Sequence, residues 1–357
     1  MIIWFYKNLK IRGGNINKKI TIRDIARALN INPSTVSRAL NDKPGVKPEL
    51  KKKIKEKAEE LGYIVSFQAK SLRTKKTMTI GIILSDIKNP FFLDFLDGVE
   101  RVLFHRKYKI LLATSNEDVN KEKTYLKWFL EHGVDGIMIS PTCGNDGSNN
   151  LMLLRQIKKR GVPIVLYDRK FQEAETEFDS VTINNYQAIV SAIKYLVKDM
   201  GHKKLGLCLI EPMVYTLKER YRGFIEGCKF FGAKHKENWI VILSKDEEKN
   251  MEKLKQFFEE SGPTAVIASN HFITQQLLKT AKKLNKKIPD DLSIIAFDDN
   301  IENELYETPI TTIKQPVVLI GKNAAIMMVG RLDGEDVIPQ NIVLNSELII
   351  RESVKKL

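Results

Sequence analysis

Two hydrophobic rhythms divide the chain. Up to about residue 63 apolar positions recur at helical spacing, with Ile22, Ile25, Ala26 and Leu29 at i, i+3, i+4 and i+7, which puts one stripe on a helix of about two turns. Thr21 is a good N-cap, and the acid at Asp24 makes a variant of the capping box. Asn30-Ile31-Asn32 interrupts the stripe, and Asn32-Pro33 sets an N-cap before a proline at the first helical position, where its missing N–H costs nothing. The second helix turns Val36, Ala39 and Leu40 toward the first and leaves Ser34, Thr35, Ser37 and Arg38 outward. Val46-Lys47-Pro48 announces a third helix, closed by Gly62, whose inner stripe is Leu50, Ile54, Ala58 and Leu61. Three helices this short must share one core to be stable.

From Met78 the rhythm changes to short apolar runs between amphipathic stretches. The runs 79–84, 110–113, 136–139 and 163–167 read as buried parallel strands, with helices at 92–107, 121–132 and 148–160. A second series follows at 205–209, 239–242, 265–268 and 292–297. Strands without alternation, separated by helices, predict parallel sheets covered on both faces, here in two tandem units with a cleft between them. Thr311 to Pro316 opens a further helix over about 316–332, and strands return near 341–350. Residues 64–77 lack the apolar content of a core element, and 1–19 have no periodicity and contain Gly13-Gly14.

Charge separates the same two parts. The net charge is +14; residues 1–77 hold 19 Lys and Arg against 6 Asp and Glu, an excess of 13, and the remaining residues hold 39 against 38. A basic head on a neutral body is the footprint of a nucleic-acid-binding module joined to something else. The Lys51–Lys55 run does not sit opposite an aromatic face, so membrane-surface binding is the weaker reading, and these lysines serve as phosphate neighbours without sequence information. Cys143, Cys208 and Cys228 are odd in number and far apart, which fits a reducing cytoplasm and neither a disulfide framework nor a zinc site. No apolar run reaches about 18 residues, so the expectation is a soluble, cytoplasmic protein.

An enzyme reading finds no constellation to perform chemistry. No GxGxxG opens a helix after a strand, no P-loop or GxSxG is present, and the five histidines are scattered singly. No cofactor or metal is expected. Ligand-binding groups do collect at strand ends, where α/β proteins place their sites. Asp86 and Asn89-Pro90-Phe91-Phe92 follow the first strand; Asp168-Arg169, Asn270-His271 and Asp298-Asp299 follow later ones; Arg220 lies in the helix after 205–209.

The segments Thr21–Ala26, Ser34–Asn41 and Gly62-Tyr63 resemble the DNA-binding head of the LacI/GalR family of bacterial transcription regulators, and the likeness runs along nearly the whole chain. The resemblance implies an α/β protein with an N-terminal three-helix helix-turn-helix domain at 20–63 and a hinge at 64–78. A two-lobed, type I periplasmic-binding-protein-like effector domain follows. Its first lobe would take 79–182 and about 314–332, and its second 183–313 and about 333–357. Family members usually begin near the position of Lys18, so 1–19 is either a basic arm touching DNA or the product of a start placed too far upstream. The implied DNA contacts are Thr21, Asn32, Pro33, Ser34, Thr35, Ser37, Arg38, Asn41, Lys47, Ala69 and Leu72. In the family the hinge orders on operator DNA and inserts a leucine into the minor groove, and Leu72 matches it, although Val65 stands where proline is frequent. Proline at 33 can donate nothing, so base discrimination leans on Ser34, Ser37, Arg38 and the Leu72 wedge.

In the body the implied effector contacts are Asp86, Phe91, Phe92, Asp168, Arg220, Asn270, His271 and Asp298, with the phenylalanines as an apolar wall. Many sugar-binding relatives carry aspartate at position 271; histidine there, with Arg220, tilts the expectation toward a sugar acid or sugar phosphate over a neutral sugar. The implied partners are a palindromic operator, a small effector and a second copy of the chain. Effector binding would change the lobe angle and with it the spacing of the paired heads. A solute-binding or chemosensory protein on the same body is the alternative, disfavoured by the basic head.

Overall fold

The structure, a computed structural model, describes residues 20–63, 76–259, 262–335 and 338–357. The expected arm and the hinge positions Ala69 and Leu72 lie outside them. The chain divides into two compact units between Lys75 and Lys76.

The head is built from α1 (Ile22–Leu29), α2 (Pro33–Leu40) and α3 (Pro48–Glu60). Thr21 N donates to the Asp24 carboxylate at 2.9 Å and the Thr21 hydroxyl donates to it at 2.6 Å, fixing where α1 starts. At α2 the Asn32 Oδ1 accepts from Ser34 N at 2.9 Å. Ile25, Val36, Ala39 and Ile54 are fully buried, and Ile22, Leu29, Leu50 and Leu61 pack around them. Each large side chain so buried contributes about 1.5–3 kcal/mol, enough for three short helices to hold together. Asp42, at φ 53° in the turn before α3, accepts from Lys51 at 2.7 Å and Lys55 at 3.0 Å. These hydrogen bonds hold its carboxyl down at about 2. Lys51, expected as a phosphate neighbour, is therefore a staple between turn and helix.

The body contains two six-stranded sheets. The first runs in the order β11-β5-β4-β3-β1-β2, from β1 (Thr79–Leu84), β2 (Lys109–Thr114), β3 (Gly136–Ile139), β4 (Ile164–Tyr167), β5 (Asp179–Ile183) and β11 (Asn341–Leu344). The second runs β12-β10-β9-β8-β6-β7, from β6 (Leu205–Ile210), β7 (Ile240–Leu243), β8 (Ala265–Ala268), β9 (Ser293–Phe297), β10 (Thr311–Lys314) and β12 (Glu347–Ile349). All pairings are parallel except β10 with β12. Helices α4 (Pro90–His105), α5 (Val119–Glu131) and α6 (Leu151–Lys159) serve the first sheet; α7 (Asn185–Lys194), α8 (Tyr215–Phe231), α9 (Glu247–Glu259) and α10 (His271–Lys283) serve the second. The short α11 (Glu302–Leu305) follows β9, and the long α12 (Val317–Leu332) packs back on α4. One core joins both sheets, and each sheet has a second core on its other face.

Four features differ from expectation. Asp179–Ile183 is a strand where none is expected, and Thr311–Lys314 forms β10 before the helix begins. Asn341–Leu344, assigned from the sequence to the second lobe, pairs with β5 in the first sheet; only β12 joins the second. Residue type does not distinguish the two segments: both are short and β-prone, and only the crossover path decides which edge each reaches. Thr77 and Met78, expected as the end of the hinge, are tied to the body, their N–H groups donating to the Asp135 carboxylate at 2.8 and 2.7 Å.

The α4–α12 seam is close because Gly98 and Gly321 face it. A Cβ at Gly98 would overlap the Val318 carbonyl oxygen, and one at Gly321 the Phe95 carbonyl oxygen. Gly321→Val is expected to separate the helices and destabilise the body by about 2–4 kcal/mol, read as a lower denaturant midpoint at unchanged slope.

Candidate functional site

Two surfaces carry the predicted contact residues. On the head, Asn32, Pro33, Ser34 and Arg38 are exposed, Thr35 and Ser37 are half-buried, and Thr21 and Lys47 lie exposed nearby. The α2 residues form a face of short hydrogen-bonding groups and one guanidinium, opposite the buried Val36 and Ala39. Two side chains on it have structural work as well: Asn32 caps α2, and Asn41 Nδ2 donates to Ser37 O at 2.7 Å.

In the body, the carboxyl ends of the two sheets enclose a cavity of about 570 Å³. All eight residues expected there line it: Asp86, Phe91, Phe92, Asp168, Arg220, Asn270, His271 and Asp298. Parallel strands explain the convergence, since every β-to-α turn of a parallel sheet lies at the same edge. Asp168 and Asp298 occupy matching places after β4 and β9. Both have left-handed backbones, φ 62° and 78°, and their N–H groups donate to Val181 O and Ile313 O at 3.0 and 3.1 Å.

Arg220 on α8 is buried and donates Nε to Asn185 Oδ1 at 2.8 Å and Nη1 to Ser269 O, with its guanidinium carbon 3.4 Å from the Phe297 ring centroid. Burial lowers it to about 10, against the pull of Asp298 and Asp168. Burial raises the Asp168 carboxyl above the usual range, opposed by Arg169 and Arg220. Its Oδ2 accepts from Ser140 Oγ at 3.3 Å and lies 3.3 Å from Arg169 Nε. Arg169 forks onto Glu117 at 2.7 and 2.6 Å; although burial opposes ionisation of both, each partner holds the other charged.

His271 departs from its expected role. Its ring nitrogens face Gln275 Nε2 at 3.0 Å and Asn300 Nδ2 at 2.9 Å, and a neutral imidazole accepts from only one of these amides. The ring therefore shares its nitrogens with Gln275 and Asn300 before any effector arrives. Two cavity residues that matter are not among those predicted, Glu117 and Gln315, the latter donating Nε2 to Asp298 Oδ1 at 2.5 Å; Arg169 stands among the strand-end candidates but not among the implied effector contacts. Gln315 stands just before Pro316 at a strand end, the one local signal that could have marked it. Lys245 Nζ donates to Asn116 O at 2.7 Å, and Asn145 Nδ2 to Glu211 Oε2 at 3.3 Å, linking the lobes at the cavity's margin. Among the described residues no group of three or more His, Cys, Asp or Glu could hold a metal ion, and no helix is long and apolar enough to cross a membrane.

A helix-turn-helix head followed by a two-lobed body closing on a polar cavity defines a DNA-binding regulator with a small-molecule sensor. Residues 21–66 match the profile described as bacterial regulatory proteins, lacI family, and 194–354 the periplasmic binding protein-like domain. The chain is 30% identical over 338 residues to the HTH-type transcriptional repressor PurR of Photobacterium profundum, covering 94% of this chain and 99% of that protein. Its fold is that of the Lac repressor dimer bound to operator and the anti-inducer ONPF, with a TM-score of 0.81 at 20% identity over 95% of this chain and 100% of that one. The transcriptional regulator CelR in complex with cellobiose has a TM-score of 0.69 at 23% identity, over 94% and 99%. The chain belongs to the LacI family of bacterial regulatory proteins. It is a DNA-binding transcription regulator, and its relatives are regulators, not enzymes.

Behind the cavity, Glu122 on α5 is fully buried; its carboxylate accepts from Thr142 N at 2.8 Å and Asn150 Nδ2 at 2.9 Å. Burial pushes its carboxyl from 4.5 up to about 7. A raised value means that its contribution to stability is complete below the unfolded value and is lost as pH rises through the folded one. Glu122→Gln is therefore expected to flatten the fall in the body's melting temperature between about pH 5 and about pH 8. An unchanged slope in calorimetry contradicts this.

Proposed function

We propose that the chain is a cytoplasmic repressor that binds a palindromic operator as a homodimer and answers to a small hydroxylated effector, a sugar or sugar derivative, held between the lobes. The observation that carries the reading is the convergence of eight contact residues from both sheets on one cavity. The solved relatives are consistent with it, one as a dimer on operator DNA and one with cellobiose. One short reading helix offers few base contacts, and a two-fold operator needs two. The effector must bind the two lobe arrangements with different affinity, because a ligand that binds both equally shifts nothing. Ser34, Ser37 and Arg38 meet base edges, Lys47 and the α3 lysines outside the Asp42 staple meet phosphates, and Leu72 wedges the minor groove.

Arg38→Ala is expected to cost about 1–3 kcal/mol on the cognate operator and to relax preference at one base position, in gel shifts across an operator library. Lys53→Ala, at an exposed position free of the Asp42 staple, is expected to weaken all sequences about equally and reduce the salt slope by about 1. Equal behaviour of the two variants contradicts the groove assignment.

The effector site is tested by a thermal-shift screen over sugars, sugar acids, sugar phosphates and purines, followed by gel shifts with the hit. Arg220→Ala should abolish the shift and the response while leaving effector-free operator binding intact. A response that survives this change places the effector elsewhere.

A further inference from the structure

The interlobe cavity has a charge and hydrogen-bond balance that constrains its occupant. Six carboxylates line it against four cations, and one of the six, Glu247, is paired with Lys279 at 3.4 Å. Arg169 forks onto Glu117, whereas Lys245 donates to Asn116 O at 2.7 Å and Arg220 to Asn185 Oδ1 and Ser269 O, neutral acceptors that fix these side chains without cancelling their charge. Lys88 and Lys245, like Glu211 and Glu247, are exposed, where their charges are screened; the interior of the site sets Glu117, Asp168 and Asp298 against Arg169 and Arg220.

Donor capacity is left at the buried Arg169 Nε, which has no hydrogen-bond partner, and at the remaining N–H groups of Arg220, but acceptor capacity is left over in larger amount. A carboxylate has about four acceptor positions, and Asp298 accepts one bond, from Gln315, while Asp168 accepts one, from Ser140, with Arg169 Nε alongside. Gln315 is only 7% exposed, yet its Oε1 has no hydrogen-bond partner. A buried acceptor without a donor is costly, so a ligand gains by bringing one. An anionic ligand would instead add acceptors and negative charge to a site whose carboxylates already outnumber its cations, and would compete with Asp168 and Asp298 for the few donors left at Arg220 and Arg169 Nε. Phe91, Phe92 and Phe272 also line the cavity, and ring faces attract cations as well as the apolar faces of sugars.

We propose that the effector is a hydroxyl-rich small molecule carrying an ammonium group, of the amino-sugar or aminopolyol class. This rests on the interlobe cavity being the effector site. The hydroxyls donate to Gln315 Oε1 and the aspartates, and the ammonium neutralises the carboxylate excess that Arg220 alone does not balance. A cation beside Asp168 also favours the ionised carboxylate that burial disfavours.

The test uses the full-length protein in thermal shift and titration calorimetry near neutral pH. The panel contains hexosamines and 1-amino-1-deoxyalditols, their uncharged parents, and the matching hexuronic acids and hexose 6-phosphates. An amine is expected to raise the melting temperature and bind roughly tenfold or more tightly than its uncharged parent. Asp298→Asn keeps a residue that tolerates the left-handed backbone and an acceptor for Gln315, and is expected to erase that preference, bringing amine and parent to equal affinity. Equal binding of the uncharged parent, or tighter binding of the acid or phosphate, overturns the charge assignment and leaves the interlobe site standing. Amine binding unchanged in Arg220→Ala, Asp168→Asn and Asp298→Asn overturns the site as well. A panel in which no amine shifts the melting temperature overturns the proposal.

Discussion

The constraint on which this molecule depends is that a parallel strand cannot turn straight back. Successive parallel strands must be joined by a crossover, mostly through a covering helix and between β4 and β5 through a loop with one short turn at Gln172–Ala174. Every turn that follows a strand therefore lies at one edge of its sheet. Asp86, Asp168, Glu211, Asn270 and Asp298 all stand just beyond strand ends, and that edge is where the sensor is built. The chain adds a second constraint by passing between the sheets three times, after β5, after β10 and between β11 and β12. These passages tie two separate cores into one body while leaving the facing edges open to a ligand. The α4–α12 seam belongs to the same logic, because α12 returns to the first lobe and the two glycines let it lie there.

The head obeys different physics. With so few residues it has no sheet to lean on, and its stability comes from a handful of apolar contacts, two capped helix starts and the Asp42 staple to Lys51 and Lys55. That economy leaves nearly the whole outer face of α2 free for recognition. It also explains why single side chains there do double duty, as Asn32 does in capping the helix whose first turn it borders.

Within the cavity, charge is arranged in layers. The Glu117–Arg169 pair is satisfied and sets the wall; Arg220 is pinned over Phe297 and fixed in direction; Asp168 and Asp298 are held by left-handed turns and retain acceptor capacity. Fixed donors and under-used acceptors are what a polar ligand can read with little rearrangement of the protein.

The sequence by itself determined the two hydrophobic rhythms, the capped starts at Thr21 and Asn32, the confinement of the positive charge to the head, and the strand-end position of the cavity residues. Each is set by local spacing or by turn chemistry, so neighbours along the chain suffice. Only the tertiary structure decided that Asn341–Leu344 and Glu347–Ile349 join different sheets, that Asp179–Ile183 is a strand, and that Gln315 reaches Asp298. It also decided that His271 is already held by Gln275 and Asn300 and that Lys51 is spent on Asp42. A short β-prone run pairs wherever a crossover delivers it, and a polar side chain's availability depends on partners far away in sequence. Residue type is written locally, whereas what a side chain has left to offer a ligand is settled by everything folded around it.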